Sequence, residues 1–238
     1  MISVLVDERI SPLCERGLMK EGFNVIKLPA HKGLGEAIAS HPDSLVFFCE
    51  GELFTPCEYC DTASFVFSDI REYHPNIKLR FTSDTLSAKY PEDCKMNAKV
   101  IGKSVFLREK SISPAILDFV KAKGFKIVNT NQGYPGCVCL SVGESLAVTS
   151  DSGLEKAISN EGINTLLIEN GNIALPPHEY GFIGGASGVF GNKVYFLGNL
   201  RLHKNGAEIE KAIKDMGYIP HSLSEEGLAD LGGLVFLK

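Results

Sequence analysis

The sequence predicts an α/β protein assembled from repeated ββαβ modules, and three observations carry that prediction. First, Ser3-Val4-Leu5-Val6, Ile10-Ser11-Pro12 and Gly22-Phe23 return as Ser104-Val105-Phe106-Leu107, Ile112-Ser113-Pro114 and Gly124-Phe125. Self-similarity of this kind marks a repeat architecture. Second, Leu146-Ala147-Val148 with Gly162-Ile163, and Val194-Tyr195-Phe196 with Gly217-Tyr218, keep the same order of apolar strand, helix, glycine and apolar strand. Third, the ends are incomplete in complementary ways. The N-terminal unit lacks a first strand, and Gly233 to Leu237 is a strand without a unit of its own.

The elements follow in chain order. Met1 to Val6, Pro12 to Glu21 and Asn24 to Leu28 read as strand, helix and strand. The second unit is the most divergent: Leu45-Val46-Phe47-Phe48, a helix around Ala63 to Tyr73, and Lys78-Leu79-Arg80-Phe81. The third is the clearest. Ala98-Lys99-Val100 and Ser104 to Leu107 flank a short turn at Ile101-Gly102-Lys103. Ser113 then caps a helix with Pro114 at its first position, where a missing N–H costs nothing. Ile116, Leu117, Phe119 and Val120 form its apolar stripe, Gly124 ends it, and Phe125 to Val128 is the return strand. The fourth unit runs Val138 to Val142, Ser145 to Val148, a cap at Asp151, a helix through Asn160, Gly162 and Thr165 to Ile168. The fifth runs Ala186 to Phe190, Val194 to Leu197, a helix Ala207 to Met216, and a strand near Ile219 to Leu223. A C-terminal strand beside the N-terminal one would complete the first module and remove two sheet edges. The expected modules of this single domain are 1–40 plus 232–238, 41–90, 91–133, 134–181 and 182–231. A mixed α/β domain of two stacked sheets is the plainer architecture for the same elements.

Five ββαβ modules in succession resemble the pentein fold. That α/β propeller belongs to guanidine-modifying enzymes such as arginine deiminases, dimethylarginine hydrolases and amidinotransferases, and ribosome anti-association factors use it without catalysis. Asn131-Gln132-Gly133-Tyr134-Pro135-Gly136-Cys137 and Gly181-Phe182-Ile183-Gly184-Gly185-Ala186-Ser187-Gly188 are similar to an uncharacterised bacterial branch of that superfamily. The resemblance implies a five-module pentein-like α/β propeller with ring closure by the termini.

The chain has 238 residues, enough to bury a substantial core without disulfide staples. It has no basic segment leading into an apolar run and no stretch of about 20 apolar residues, so a cytoplasmic location is expected. Its seven cysteines are an odd number, which suits reduced thiols. Lys and Arg total 24 against 29 acidic residues, dispersed without a basic tract, which argues against nucleic acid. A membrane is likewise not an expected partner. The resemblance implies a small guanidino or amino-acid-like ligand, and a protein partner is open.

Comparable junctions lead into the first strands: Tyr90-Pro91-Glu92-Asp93-Cys94, Tyr134-Pro135-Gly136-Cys137, Phe182-Ile183-Gly184-Gly185 and Leu231-Gly232-Gly233. Glycines there permit close backbone approach and expose N–H groups to a ligand anion; they also suit simple crowding at an axis. Glu92, Asp93, Cys94, Asn131, Gly136, Gly184 and Gly185 are the candidate ligand contacts. Cys137 is the candidate nucleophile, since its Gly-Tyr-Pro-Gly lead-in is similar to that of the pentein cysteine. The superfamily places that cysteine in its last module, whereas Cys137 lies mid-chain, and a small buried thiol is the plainer role. Cys139, two residues on, shares its strand face. His178 and Glu179 are the candidate base and its acidic neighbour, and a surface loop is the plainer reading. Cys57-Glu58-Tyr59-Cys60 is one C-x-x-C without a second pair, so no metal is expected, and no cofactor is implied. Asp7-Glu8-Arg9 reads as solvated charge.

Two functions follow. One is a noncatalytic pentein-like domain that binds a small molecule or protein. The alternative, implied by the resemblance, is a guanidine-modifying hydrolase. In it Cys137 attacks a guanidinium carbon, His178 moves protons, and Glu92, Asp93 or Glu179 holds the cation. A structural assembly component is a third, plainer role.

Overall fold

A computed structural model describes residues 2–238; Met1, where the sequence reading began the first strand, lies outside the described residues. In chain order, β1 (Ser3–Asp7), α1 (Pro12–Lys20) and β2 (Asn24–Leu28) come first. Next are α2 (Pro42–Leu45), β3 (Phe47–Cys49), β4 (Glu52–Pro56), α3 (Ser64–Tyr73) and β5 (Lys78–Thr82). β6 (Lys99–Ile101), β7 (Ser104–Leu107), α4 (Pro114–Ala122) and β8 (Lys126–Asn129) follow. Then α5 (Pro135–Val138), β9 (Cys139–Val142), β10 (Leu146–Thr149), α6 (Ser152–Ser159), β11 (Asn164–Leu167) and β12 (Ile173–Ala174). The chain closes with β13 (Ser187–Phe190), β14 (Lys193–Phe196), α7 (Gly206–Asp215), β15 (Ile219–Ser222), β16 (Leu228–Ala229) and β17 (Val235–Leu237).

Each module makes its own three-stranded sheet, with an antiparallel pair, a hairpin in all but the first, and a parallel third strand returned by the helix. The orders are β17-β1-β2, β3-β4-β5, β6-β7-β8, β9-β10-β11 and β13-β14-β15, and β12 and β16 form a two-stranded parallel pair. The C-terminal strand lies antiparallel on β1 in the register Ser3↔Leu237, Val4↔Phe236 and Leu5↔Val235, which supplies the first module's missing strand.

The expected propeller with ring closure is corrected. The termini complete one three-stranded sheet, and no sheet closes on itself or onto a neighbour. The five three-stranded ladders each stay within one module, the short β12–β16 pair joins the fourth module to the fifth, and the sheets otherwise meet through side chains and junction loops. Leu5, Leu53 and Ile70 share one core cluster between the first two sheets. Phe47, Val105 and Ile116 form the next, followed by Phe106, Val138 and Leu154. Leu140, Val194 and Ile209 share another, and Val4, Tyr195 and Phe236 join the fifth sheet to the first.

Local chemistry explains the helix ends. Asp151 Oδ1 accepts from Leu154 N at 2.7 Å, capping α6 as its residue type requires. Ser113 precedes α4 without a side-chain cap; its hydroxyl instead donates to Asp84. Gly22, Gly124, Gly162 and Gly217, each after a helix, all have positive φ. The Glu50-Gly51 turn between β3 and β4 places both residues at positive φ, 47° and 75°, as a two-residue hairpin of this hand demands.

Candidate functional site

The junctions leading into β3, β6, β9, β13 and β17 converge and are hydrogen-bonded in succession. Asp43 N donates to Gly232 O at 3.2 Å. Asn97 Nδ2 donates to Asp43 O at 3.2 Å, and its Oδ1 accepts from Gly136 N at 2.7 Å. Gly185 N then donates to Cys137 O at 2.8 Å, and Gly233 N to Gly185 O at 2.7 Å. Small residues make this approach possible: a Cβ on Gly184 would lie 2.4–2.6 Å from three carbonyl oxygens, those of Gly136, Cys137 and Cys139.

A buried cluster of a thiol, carboxylates and an imidazole sits among these junctions. Cys137 belongs to the single helical turn α5, so it does not share a strand face with Cys139, which begins β9. Its Sγ donates to Asp230 Oδ2 at 3.2 Å. Asp230 follows β16 and is fixed by Phe182 N on Oδ2 at 2.8 Å and by Gly232 N on Oδ1 at 3.1 Å. Asp43, in the first turn of α2, flanks the same thiol. His41 lies just before α2, with Nδ1 3.9 Å from Asp230 Oδ1 and 4.0 Å from Asp43 Oδ1. Its Nε2 is 3.7 Å from Asp7 Oδ2. Both ring nitrogens of His41, and Oδ2 of Asp43, are buried without a hydrogen-bond partner.

Asp7 is buried at the end of β1 and carries a fork from Arg9, 2.9 Å from Nε and 2.6 Å from an Nη. That pairing corrects the reading of Asp7-Glu8-Arg9 as solvated charge. The same guanidinium also reaches the carbonyls of Glu36 and Ala37, tying the 30–41 loop to β1.

The electrostatics follow from burial. Desolvation pushes the Cys137 thiol well above its ordinary value, and the charges and hydrogen bonds of Asp230 and Asp43 push it the same way. Asp43 is raised to about 6 by burial, opposed by His41 and reinforced by Asp230. Without a bound cation, the thiol is therefore held protonated.

The remaining predicted site residues are distributed. Tyr134 donates to Asp93 Oδ2 at 2.6 Å, while Asp93 Oδ1 is buried without a partner. The Cys94 thiol donates to Pro91 O at 3.3 Å and is pushed up to about 11 by burial. Glu92 is half-buried and Asn131 exposed. Gly136 and Gly184 line a cavity of about 640 Å³, and Gly185 abuts Asp230, whose Oδ1 would lie 1.9 Å from an added Cβ. His178 and Glu179 are exposed on a loop after β12, and among the described residues neither bonds to Cys137. No three His, Cys, Asp or Glu side chains among the described residues are grouped to hold a metal ion. Cys57 is exposed and Cys60 half-buried beside it.

Sequence reading missed His41, Asp43 and Asp230. A signal for the first two existed: His41-Pro42-Asp43 repeats the aromatic-Pro pattern of Tyr90-Pro91 and Tyr134-Pro135 at the same point of its module.

Residues 5–235 match the model of a family described as a family of unknown function, DUF6873. The chain belongs to that family. No curated protein matches it. Among solved structures, a mutant of dimethylarginine dimethylaminohydrolase from Pseudomonas aeruginosa complexed with citrulline superposes with TM-score 0.57 at 10% identity, covering 94% of this chain and 91% of that one. An amidinotransferase of saxitoxin biosynthesis from Microseira wollei gives 0.56 at 11%, covering 93% and 88%. The agmatine deiminase of C. jejuni gives 0.56 at 8%, covering 94% and 87%. This DUF6873 chain therefore shares the fold of the pentein guanidine-modifying enzymes. Among its described residues no helix is long and apolar enough to cross a membrane.

Proposed function

We propose that the protein is a guanidine-modifying hydrolase working through Cys137. The observation that carries this reading is the thiol set between two carboxylates, the buried Asp230 at 3.2 Å and the half-buried Asp43, with the unpartnered imidazole of His41 beside both. A guanidinium is planar, cationic and rich in donors, so it suits a pair of carboxylates in place of water. Its charge would also offset the carboxylate field that keeps the thiol protonated, which couples nucleophile activation to substrate binding.

In the reaction, the Cys137 proton passes to His41 and the sulfur bonds to the guanidinium carbon. His41 returns the proton to the departing nitrogen as the C–N bond breaks, leaving an amine or ammonia and an S-linked thiouronium. Water then adds to that carbon with His41 taking its proton. The C–S bond breaks, the sulfur recovers a proton, and a urea is released. The named activities of the structural neighbours, dimethylarginine hydrolysis, amidino transfer and agmatine deimination, support the substrate class. Ligand binding without turnover is the second reading, favoured by the raised thiol.

A panel of guanidino compounds, with products read by mass spectrometry, tests the proposal. Formation of a ureido product that disappears in Cys137→Ala and falls steeply in His41→Ala is expected. Saturable binding with no product from any member would replace the hydrolase with the binding reading.

A further inference from the structure

The first strands of all five sheets wall the cavity of about 640 Å³: residues of β3, β6, β9, β13 and β17 line it. Its volume is that of a small-molecule site. The wall is largely apolar, with Phe48, Val100, Val189 and Phe236 among its members, and its charged side chains are Asp43, Lys99 and Lys238. Asp43 is committed to the thiol cluster. Lys99, on β6, forms no ion pair with any described residue.

We propose that this cavity binds a small organic carboxylate with an apolar body, Lys99 supplying the counter-charge and the strand walls receiving the body. Lys99 is half-buried in a largely apolar cavity wall with no carboxylate at contact distance, so its ammonium is uncommitted and a ligand carboxylate entering the cavity would meet a charge-assisted partner. Partial burial lowers the Lys99 pKa, opposed by the nearby Cys139, Asp43 and Cys137. The apolar walls select a hydrocarbon body over a bare inorganic anion. Lys99 as a distant counter-charge for the Asp43–Asp230 cluster is the competing role, and it predicts no ligand at all.

Calorimetric titration of the full chain with hexanoate, hexanol and hexylammonium tests the proposal, using wild-type and Cys137→Ala protein so that the outcome is separate from turnover. Saturable hexanoate binding in both is expected, with hexanol and hexylammonium much weaker. Lys99→Met should weaken hexanoate at least about tenfold, and Lys99→Arg should keep most of it. If Lys99→Met does not fold, Val189→Trp, which fills the cavity and keeps the charge, should abolish binding instead. Absence of saturable hexanoate binding, equal affinity for hexanol, or unchanged affinity in both variants would overturn the proposal.

Discussion

At Asp43, burial has a consequence for stability that can be measured without knowing any substrate. Its folded value of about 6 lies above the ordinary 3.8, so the folded protein holds this proton more tightly than the unfolded chain. The associated stability is fully present below about pH 4 and is lost as pH rises through about 6. The full linkage is about 3 kcal/mol at 1.36 kcal/mol for each tenfold change in proton affinity. Asp43→Asn should therefore flatten the decline of stability between about pH 4 and 6, read as denaturant midpoints across that range. Glu21, Glu52 and Glu210, held below the usual carboxylate range, add stability as pH rises, so the wild-type-minus-variant difference is the readout, and a difference that stays constant from about pH 4 to 6 would show that the Asp43 carboxyl is not raised. The thiol gives a second expectation. Cys137, buried and held protonated, should react with iodoacetamide far more slowly at pH 7 than the exposed Cys57. Peptide mapping over time reads this directly, and early labelling of Cys137 would contradict the electrostatic account. Residue-scale chemistry was only partly legible in the sequence. Cys137 was visible from its glycine-rich lead-in, whereas Asp230 is brought to it from 93 positions away by tertiary contact alone.

Elements were more legible than side chains, because hydrophobic period, proline and glycine act locally. Helices α1, α4 and α6 fell where a starting cap or proline and a closing glycine placed them, and α7 ended where Gly217 placed it. Strand β4 was missed: its Glu52-Leu53-Phe54-Thr55-Pro56 ends in proline, and its hairpin depends on Glu50 taking a positive φ that glycine normally supplies. The two-residue strands β12 and β16 carry no periodicity to read. The terminal pairing was legible because each end lacked what the other held. Its energetics are concentrated in Phe236, which pairs with Val4 and has its ring centroid 5.0 Å from Phe23 and 5.4 Å from Phe190. Phe236→Ala should cost about 3–5 kcal/mol, measured by denaturant unfolding, through lost burial and the cavity left behind. A cost below about 1 kcal/mol would mean that β17 contributes little to the first sheet.

At the scale of the whole molecule, repetition announces the modules but does not say how they meet. Closure into a propeller was the natural expectation from complementary ends, yet each first strand pairs only with the antiparallel partner in its own sheet. At the junctions, turns and glycines bring the backbones together and join them by single hydrogen bonds such as Gly185 N to Cys137 O, with no run of paired residues between the first strands. Assembly of the sheets, and with it the thiol cluster, should therefore depend on atoms that glycine lacks. Gly184 tests this: an added Cβ would meet backbone carbonyls of the fourth module at 2.4–2.6 Å, and backbone cannot swing aside as a flexible side chain can. Gly184 has no positive φ, so the cost comes from crowding and not from torsional strain. Gly35 is the matched control, with no atom within 4 Å of the added Cβ and no positive φ. Gly184→Ala should lower stability by at least about 2 kcal/mol, while Gly35→Ala should stay within about 0.5 kcal/mol of the parent. Because Gly184 meets the carbonyl of Cys137 itself, the same substitution should also speed thiol alkylation as the α5 turn is displaced. Equal stability of the two variants, with Cys137 labelling unchanged, would mean that the junctions tolerate separation and that side-chain packing alone holds the sheets together.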